Sequence, residues 1–582
     1  MNKEKELLVF AFSYIVFVFL NLLITHYEFY YDGARNENVM IEFAEHNTLT
    51  LYAFPYVNNP PIYFILGGFI IKLFGEKQIV FKIMELTLYF IAGLLVYLFL
   101  SKNKIKKTLS FFAFFLFLTD VAVIHLHNID YVGIICLLTI LALITYNNFN
   151  KKPTLKNSII FGIVGAFSFL TKSSFLFVYL PIYFHAFFNN LNNPKKLKLI
   201  FLSGVILSLG QFLWECYLYV NHLPLIPNLA ELSGNIEWSV KKTFNPFSAF
   251  LYSIKKWNVL YVLALLLVII KRDYKSVLSY LLFLTPLLTS IVLKVYPEES
   301  MTSIMVFSII YIFENFNFKK NMKAFLFIVF VLFVFRVFAF EKSDFVFYKN
   351  SIRYECPYFV FAENLSEHDV LLDTINYAYL NLLSPAYVDY NNLIEKKITP
   401  LLALDINYVS FFEKEKHLIE DPISVSFGII YPENYFKQLK KFNCFCNKTN
   451  KTIYVYSFNS TSFYSDLGIK YYFDVKINNL KKNMNSQSLI QVIGNNFTAT
   501  YFTNKIGEKR IFVNKPGVYH LTIIKTGYEV GEYNVFVPIS GYAKIIVSNE
   551  LKNTKNITLS NIIEINLTKG NAFFHNVSEL RY

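Results

Sequence analysis

The sequence predicts a polytopic α-helical membrane domain followed by two exterior domains, one α/β and one a β-sandwich. The first observation is composition: 54% of the 582 residues are hydrophobic and only 16% are charged, which is typical of a membrane protein. The second is that long apolar runs fill residues 7–340, whereas residues 341–582 are polar and rich in Asn, Tyr and Lys. The third is that lysines cluster between apolar runs, so the net charge of +14 indicates membrane topology rather than nucleic-acid binding.

A membrane-spanning helix needs about 20 apolar residues, and short or bundled helices need fewer. The apolar runs give eleven candidate spans, and we therefore predict about eleven transmembrane helices. They are residues 7–25, 79–100, 109–127, 131–146, 158–170, 174–188, 199–220, 255–270, 277–294, 301–316 and 324–340.

The loops between these spans predict the orientation of the chain. With a cytoplasmic N-terminus, every second loop carries lysines, as in "SKNKIKK" at 101 and "KRDYK" at 271. An odd number of crossings then leaves the C-terminal region outside. A twelfth crossing at residues 60–75 would break this alternation, so "PPIYFILGGFIIKLFG" is predicted to be an interfacial or re-entrant helix.

N-glycosylation sequons give an independent indication of topology, because they are used only on the outer or lumenal face. None occurs in residues 1–340. Residues 341–582 are rich in Asn, and such a segment would also produce some sequons by chance. The restriction of the sequons to residues 341–582 favours an exterior C-terminal region. The sequons begin at Asn364, Asn447, Asn450, Asn459, Asn496, Asn556, Asn566 and Asn576.

The chain is divided by this reasoning into residues 1–340, a membrane domain with an outer loop at 26–78, and two exterior domains. Residues 341–458 mix helix-like stretches such as "PENYFKQLKKF" with short apolar runs, which predicts a small α/β domain. In residues 459–582, strand-like runs alternate with turn signals, which predicts an immunoglobulin-like β-sandwich. Neither has metal-ligand or nucleophile spacing, so a binding or spacing role is expected.

Charged residues next to apolar segments are the candidates for chemistry. Asp32 follows the first span in "YYDGARNE", and Asp130 lies at a span boundary in "HLHNIDYVG", so both carboxylates are expected at the outer membrane surface. Lys172 interrupts an apolar run, which is costly unless it reaches the surface or meets an anion. Ionisable residues inside apolar runs, such as Glu85 and Glu215, are functional hypotheses by default.

These segments, in this order, carry a family resemblance. An anchor, "YYDGARNE", "NNPPIYFILGGFIIKLFG", "DVAVIHLHNIDYVG" and "LTKSSFLFVYLP" follow one another over about residues 7–320. The arrangement resembles GT-C glycosyltransferases of the dolichyl-phosphate-mannose protein mannosyltransferase and aminoarabinose transferase type. The resemblance implies a GT-C membrane fold with an exterior C-terminal region.

The resemblance also implies roles for individual residues. Asp32 matches the first-loop acid, which acts as base or positions the acceptor, and Asp130 matches the second acid. Gly33 stands where the family often has Glu, and "YPEES" at 296–300 stands where a Pro-Arg-Tyr stretch often supplies a cation. The positive charge for the donor phosphate would then come from Arg35, Lys72, Lys172 or Lys294. The substrates would be bound by Glu37, Asn59, Pro60, Pro61 and His127.

The function implied is a glycosyltransferase that moves a sugar from polyprenyl or dolichyl phosphate to a protein, lipid or glycan acceptor. Asp32 would deprotonate the acceptor hydroxyl, and the sugar would be inverted. The expected location is the outer face of a cytoplasmic membrane, and Lys over Arg usage together with the sequons indicates an archaeal cell envelope. No P-loop or Rossmann fingerprint indicates a nucleotide site. The sequence indicates no certain cofactor, and it leaves open a divalent metal ion at Asp32 and Asp130.

Several alternatives stay open at this level. The chain could be a non-catalytic glycan-binding surface protein or a transporter. Asp32 and Glu37 could be solvated residues at a helix end, and Lys172 could be a snorkelling side chain. Asp130 could cap the helix that follows it, a role compatible with catalysis.

Overall fold

A computed structural model describes most of the chain apart from a set of longer segments and short gaps. The described residues, short gaps aside, are 3–24, 31–55, 60–119, 131–220, 259–316, 357–373, 387–389, 407–412, 436–459, 471–478, 488–546 and 562–566. They form two compact units, one of residues 1–25 and 57–340 and the other of residues 26–56 and 341–582. The first half of the predicted outer loop is therefore grouped with the C-terminal region. The predicted domain boundaries stay predictions.

The first unit is built from the apolar runs, which fold as helices because a membrane requires each backbone polar group to be satisfied within its own segment. Helix α2 (Tyr31–His46) belongs to the second unit. The described helices of the first unit are α1 (Lys3–Ile24), α3 (Ile62–Phe74), α4 (Gln78–Lys102), α5 (Lys107–Leu118), α6 (Val132–Lys151), α7 (Leu155–Thr171), α8 (Leu176–Phe188), α9 (Pro194–Val220), α10 (Val259–Lys271), α11 (Val277–Leu293) and α12 (Glu298–Asn315).

Four of the described helices are long and apolar enough to cross a membrane, so the chain is a multi-pass membrane protein. They contain the spans Glu4–Leu22, Ile79–Lys102, Val132–Lys151 and Pro194–Tyr219. Ten of the eleven predicted segments coincide with helices, and the last, 324–340, lies outside the described residues. The count of eleven crossings stays a prediction, because six of these helices are shorter than a full span.

Helix α6 is the centre of this unit. Its spanning window is 72% buried, whereas that of α1 is 11% buried and presents its apolar side chains outward, as toward lipid. Helices α7 and α9 pack closely because Gly162 faces α9 with no side chain: a Cβ there would lie 2.8 Å from the carbonyl oxygen of Ser203. The segment at 60–75, predicted to be an interfacial or re-entrant helix, contains helix α3, and its position relative to the membrane stays a prediction.

The second unit begins with α2 (Tyr31–His46) and a two-stranded hairpin of β1 (Thr50–Leu51) and β2 (Phe54–Pro55). A mixed sheet follows, in the order β4-β3-β5-β7-β6, with β4, β3 and β5 parallel. Helix α13 (Pro357–Glu363) packs on it through Tyr358 and Ala362. The strands are β3 (Leu371–Asp373), β4 (Tyr387–Asp389), β5 (Tyr408–Phe412), β6 (Phe436–Cys446) and β7 (Thr449–Phe458).

One expectation for this sheet is wrong. The stretch "PENYFKQLKKF" has a helix-like pattern, but Phe436–Cys446 is strand β6 and pairs with β7 along its length. Phe442 of this strand packs on Tyr358 and Phe361, with ring centroids 6.0 and 5.6 Å apart. Hairpin pairing and this aromatic contact outweigh the local helix propensity of the segment.

The remaining strands form a β-sandwich, in agreement with the pattern of short runs and turns. One sheet has the order β10-β9-β12-β13-β14 and the other β11-β8-β15, and both contribute to one apolar core. The strands are β8 (Tyr471–Asn478), β9 (Leu489–Gly494), β10 (Phe497–Phe502), β11 (Glu508–Val513), β12 (Gly517–Ile524), β13 (Gly531–Val537), β14 (Lys544–Ile546) and β15 (Ile562–Asn566). Asn495 and Asn496, with φ of 50° and 57°, make the tight β9–β10 turn that such hairpins favour.

Candidate functional site

Three sequence motifs of the first unit meet at the ring of Tyr131, the residue after Asp130. The Tyr131 ring centroid lies 4.1 Å from that of Tyr63 and 6.2 Å from that of Phe64, both from the Pro-Pro helix α3. The Lys172 ammonium lies 4.5 Å from the same Tyr131 centroid. The Pro-Pro, Asp-Tyr and Thr-Lys motifs are therefore adjacent in space, although about 110 residues separate Tyr63 from Lys172.

The backbone of Tyr131 is in an unusual conformation. Its φ is 61°, the left-handed region, which a bulky side chain adopts at a cost of about 1–3 kcal/mol. Tyr131 lies directly before α6, and its side chain is buried against α3. This packing stabilises the strained backbone conformation. Such strain is concentrated at functional sites, where a fixed side-chain direction has value.

The Pro-Pro motif places the aromatic pair of α3. Pro60 and Pro61 are buried, and the amide of Ile65 donates to the carbonyl oxygen of Pro61 at 3.0 Å, which closes the first helical turn. Proline suits this position because it has no amide proton to leave unsatisfied. Tyr63 and Phe64 follow within that turn.

Glu85 of α4 links two of these segments, because it contacts both the first turn of α6 and Tyr63 of α3. Its carboxylate is fully buried, accepts a hydrogen bond of 2.8 Å from the amide of Gly133 in the first turn of α6, and interacts with the Tyr63 side chain. A buried carboxylate is stable only when donors surround it, and the amino end of a helix is favourable for an acid. Glu85 thereby fixes α6, and with it the position that follows Asp130.

Gly133 gives a direct test of this packing. A Cβ there would lie 2.7 Å from Oε2 of Glu85 and still closer to its carbonyl oxygen, so Gly133→Ala must move α4 or α6. We expect a loss of about 1–3 kcal/mol of stability, the usual effect of overpacking, seen as a lower Tm in detergent. Gly204→Ala is the control, since its Cβ would meet only Tyr183 at 3.9 Å. Equal Tm values for the two variants would contradict the close packing.

The two candidate phosphate-binding lysines of this unit have different surroundings. Lys172 is half-buried, ends helix α7 and lies over Tyr131, a cation–π arrangement. Lys72 is exposed near the end of α3, nine residues after Tyr63 and thus about 13 Å along the helix axis. The structure brings Lys172, and not Lys72, to the Tyr131 ring.

The first-loop acid lies on a helix that sequence reasoning missed. Asp32 and Arg35 are in the first two turns of α2, and their side chains lie outside the described residues. Glu37 is only 1% exposed, so the alternative that it is a solvated residue at a helix end is wrong. Its role in substrate binding stays a prediction.

Asn59, His127 and Asp130 also lie outside the described residues, so their predicted roles stay predictions. Within the described ranges no group of three or more His, Cys, Asp or Glu could hold a metal ion, and an ion at Asp32 and Asp130 stays a prediction as well. Tyr63, Tyr131 and Gly133 were absent from the sequence-based site. The sequence could have indicated them by their position, because Tyr63 lies in "PPIY" and Tyr131 and Gly133 lie in "DYVG", directly after the residues of the predicted motifs.

The fold defines a multi-pass membrane protein, and the Tyr131 site lies in a segment that matches one family model. Residues 58–214 match the family model described as dolichyl-phosphate-mannose-protein mannosyltransferase, which confirms the predicted resemblance for the segment that contains Tyr63, Tyr131 and Lys172. Among solved structures, the chain is similar to ArnT from Cupriavidus metallidurans in the apo state, at 10% identity and a TM-score of 0.33, over 78% of this chain and 98% of that one. No curated protein matches the chain.

Proposed function

We propose that this chain is a membrane glycosyltransferase that uses a lipid-phosphate-linked sugar and an acceptor on the outer face of the cytoplasmic membrane. The observation that supports it most is the meeting of three motif segments at Tyr131, all within the residues that match the family model. A secondary transporter would show internal repeats with paired Gly- or Pro-broken segments at mid-membrane, and the sequence has no such symmetry.

The proposed reaction is a single displacement at the anomeric carbon. Asp32 takes the proton of the acceptor hydroxyl as its oxygen attacks from the face opposite the phosphate. The new glycosidic bond forms as the bond from the anomeric carbon to the phosphate oxygen breaks, and the lipid phosphate leaves with the electron pair. Lys172 and Arg35 stabilise the phosphate charge, and a positive group fixed at a water-poor boundary is effective in this role.

The inversion of the sugar follows from this geometry and provides the test. Purified protein in liposomes is given a panel of radiolabelled polyprenyl-phosphate sugars with membrane acceptors, and the anomeric configuration of the product is read by NMR. We expect transfer from at least one lipid-phosphate sugar, with inverted configuration, and none from the corresponding nucleotide sugars. Use of the nucleotide sugars would contradict the donor class, and a retained configuration would contradict direct attack assisted by Asp32.

A further inference from the structure

The middle of helix α2 is enclosed on every side. Seven consecutive residues, Asn36–Glu42, are each at most 2% exposed, and seven residues point in all directions around a helix with 3.6 residues per turn. An isolated helix of 16 residues is marginal in water, so α2 depends on its packing. The elements that pack on α2 therefore control where its first turns, with Asp32 and Arg35, are held.

A buried lysine of the β-sandwich lies in the electrostatic field of α2. Lys525 directly follows β12 and is 6% exposed, and the carboxylates of Glu42 and Glu45 act on its charge. Burial, and then the negative charge of Glu45, raise the pKa of the Tyr528 phenol, three residues later. The amide of Tyr528 donates a hydrogen bond of 3.1 Å to the carbonyl oxygen of Lys525. Lys525 and Tyr528 are thus near the two acids in the second half of α2, within one compact unit.

The energetics of this pairing are asymmetric. Burial lowers the pKa of Lys525, and the two carboxylates oppose that shift, so the ammonium and the acids compensate one another. Lys525 and Glu42 are both buried, so removing the charge of Lys525 leaves the nearby Glu42 carboxylate less compensated, which is destabilising. The docking of α2 is therefore expected to be sensitive to Lys525 in particular.

We propose that Lys525 is a positioning residue that docks α2 on the β-sandwich and thereby fixes the helix that bears Asp32. The exterior domain then has a part in catalysis beyond spacing, because it determines where the first-loop acid is held. The docking itself needs no assumption about the reaction, whereas its effect on turnover rests on the proposed function.

The docking is tested by hydrogen–deuterium exchange on the full-length protein in detergent. In Lys525→Met, which keeps the side-chain volume and removes the charge, we expect amides of residues 31–46 to exchange at least ~10-fold faster. Strand β9 in the core of the sandwich should keep its protection. Lys515→Met is the matched control, because Lys515 is exposed in the same sandwich and its protection pattern should equal that of the wild type.

Each outcome decides the proposal. Unchanged protection of residues 31–46 overturns it, and so does an equal loss of protection in β9, which would indicate unfolding of the sandwich instead of undocking of α2. If α2 is loosened selectively, the transfer assay should show a lower kcat and, because α2 also bears Arg35, a higher KM for the donor. Lys525→Arg should restore exchange, kcat and KM. Selective loosening with unchanged kcat would overturn the catalytic part. Because exchange requires no turnover, failure of the proposed function leaves the docking test intact.

Discussion

Replacing Asp32 with asparagine is expected to lower kcat for sugar transfer by about 10²- to 10⁴-fold, the usual contribution of a general base. The amide has nearly the same shape as the carboxylate but cannot take up the proton of the attacking hydroxyl. The KM for the lipid-phosphate donor should change little, because donor binding is assigned to cations. The measurement is initial-rate transfer of radiolabelled sugar with purified wild type and variant in liposomes.

The control for this substitution is Glu532→Gln, which likewise converts an acid to its amide, at an exposed position of β13. It should transfer sugar at the wild-type rate. Equal exchange protection of residues 31–46 in wild type and Asp32→Asn would establish that α2 is intact. Activity of Asp32→Asn within twofold of wild type would rule out Asp32 as the base.

The helices of the first unit could be predicted because lipid imposes a simple rule on the sequence. Apolar runs must satisfy their own backbone, so ten of the predicted spans overlap helices and the segment at 60–75 contains the helix Ile62–Phe74. The β-sandwich was also readable, because short runs with period-two burial and turn residues recur from β8 onward. Both signals are local in the sequence.

The features that escaped prediction depend on contacts between distant residues. Strand β6 has a helix-like pattern and becomes a strand through its pairing with β7. The conformation of Tyr131 is imposed by its packing on α3, about 70 residues earlier in the sequence. The proximity of Glu42 to Lys525 joins segments almost 500 residues apart, and neither side chain differs locally from an ordinary surface charge.

Lys172 discriminates most clearly between the catalytic and the structural interpretation of the Tyr131 site. If its ammonium stabilises the departing phosphate, Lys172→Met should lower kcat/KM for the lipid-phosphate donor by about 10²-fold, as for loss of one preorganised electrostatic partner. Lys172→Arg should stay within about 10-fold of wild type, because a guanidinium keeps the charge and also stacks on the Tyr131 ring. The rates are measured by varying the donor concentration at saturating acceptor.

Lys156→Met provides the matched control, since Lys156 is exposed in the first turn of α7, at the opposite end of the helix that Lys172 terminates. A snorkelling lysine contributes through its aliphatic stem and its contact with the membrane surface, which methionine largely replaces, so that role predicts near-wild-type turnover for both variants. A phosphate-binding role predicts a loss in Lys172→Met alone, with the Tm preserved. Equal activities of the two methionine variants would therefore assign Lys172 to anchoring and leave the donor phosphate to other cations.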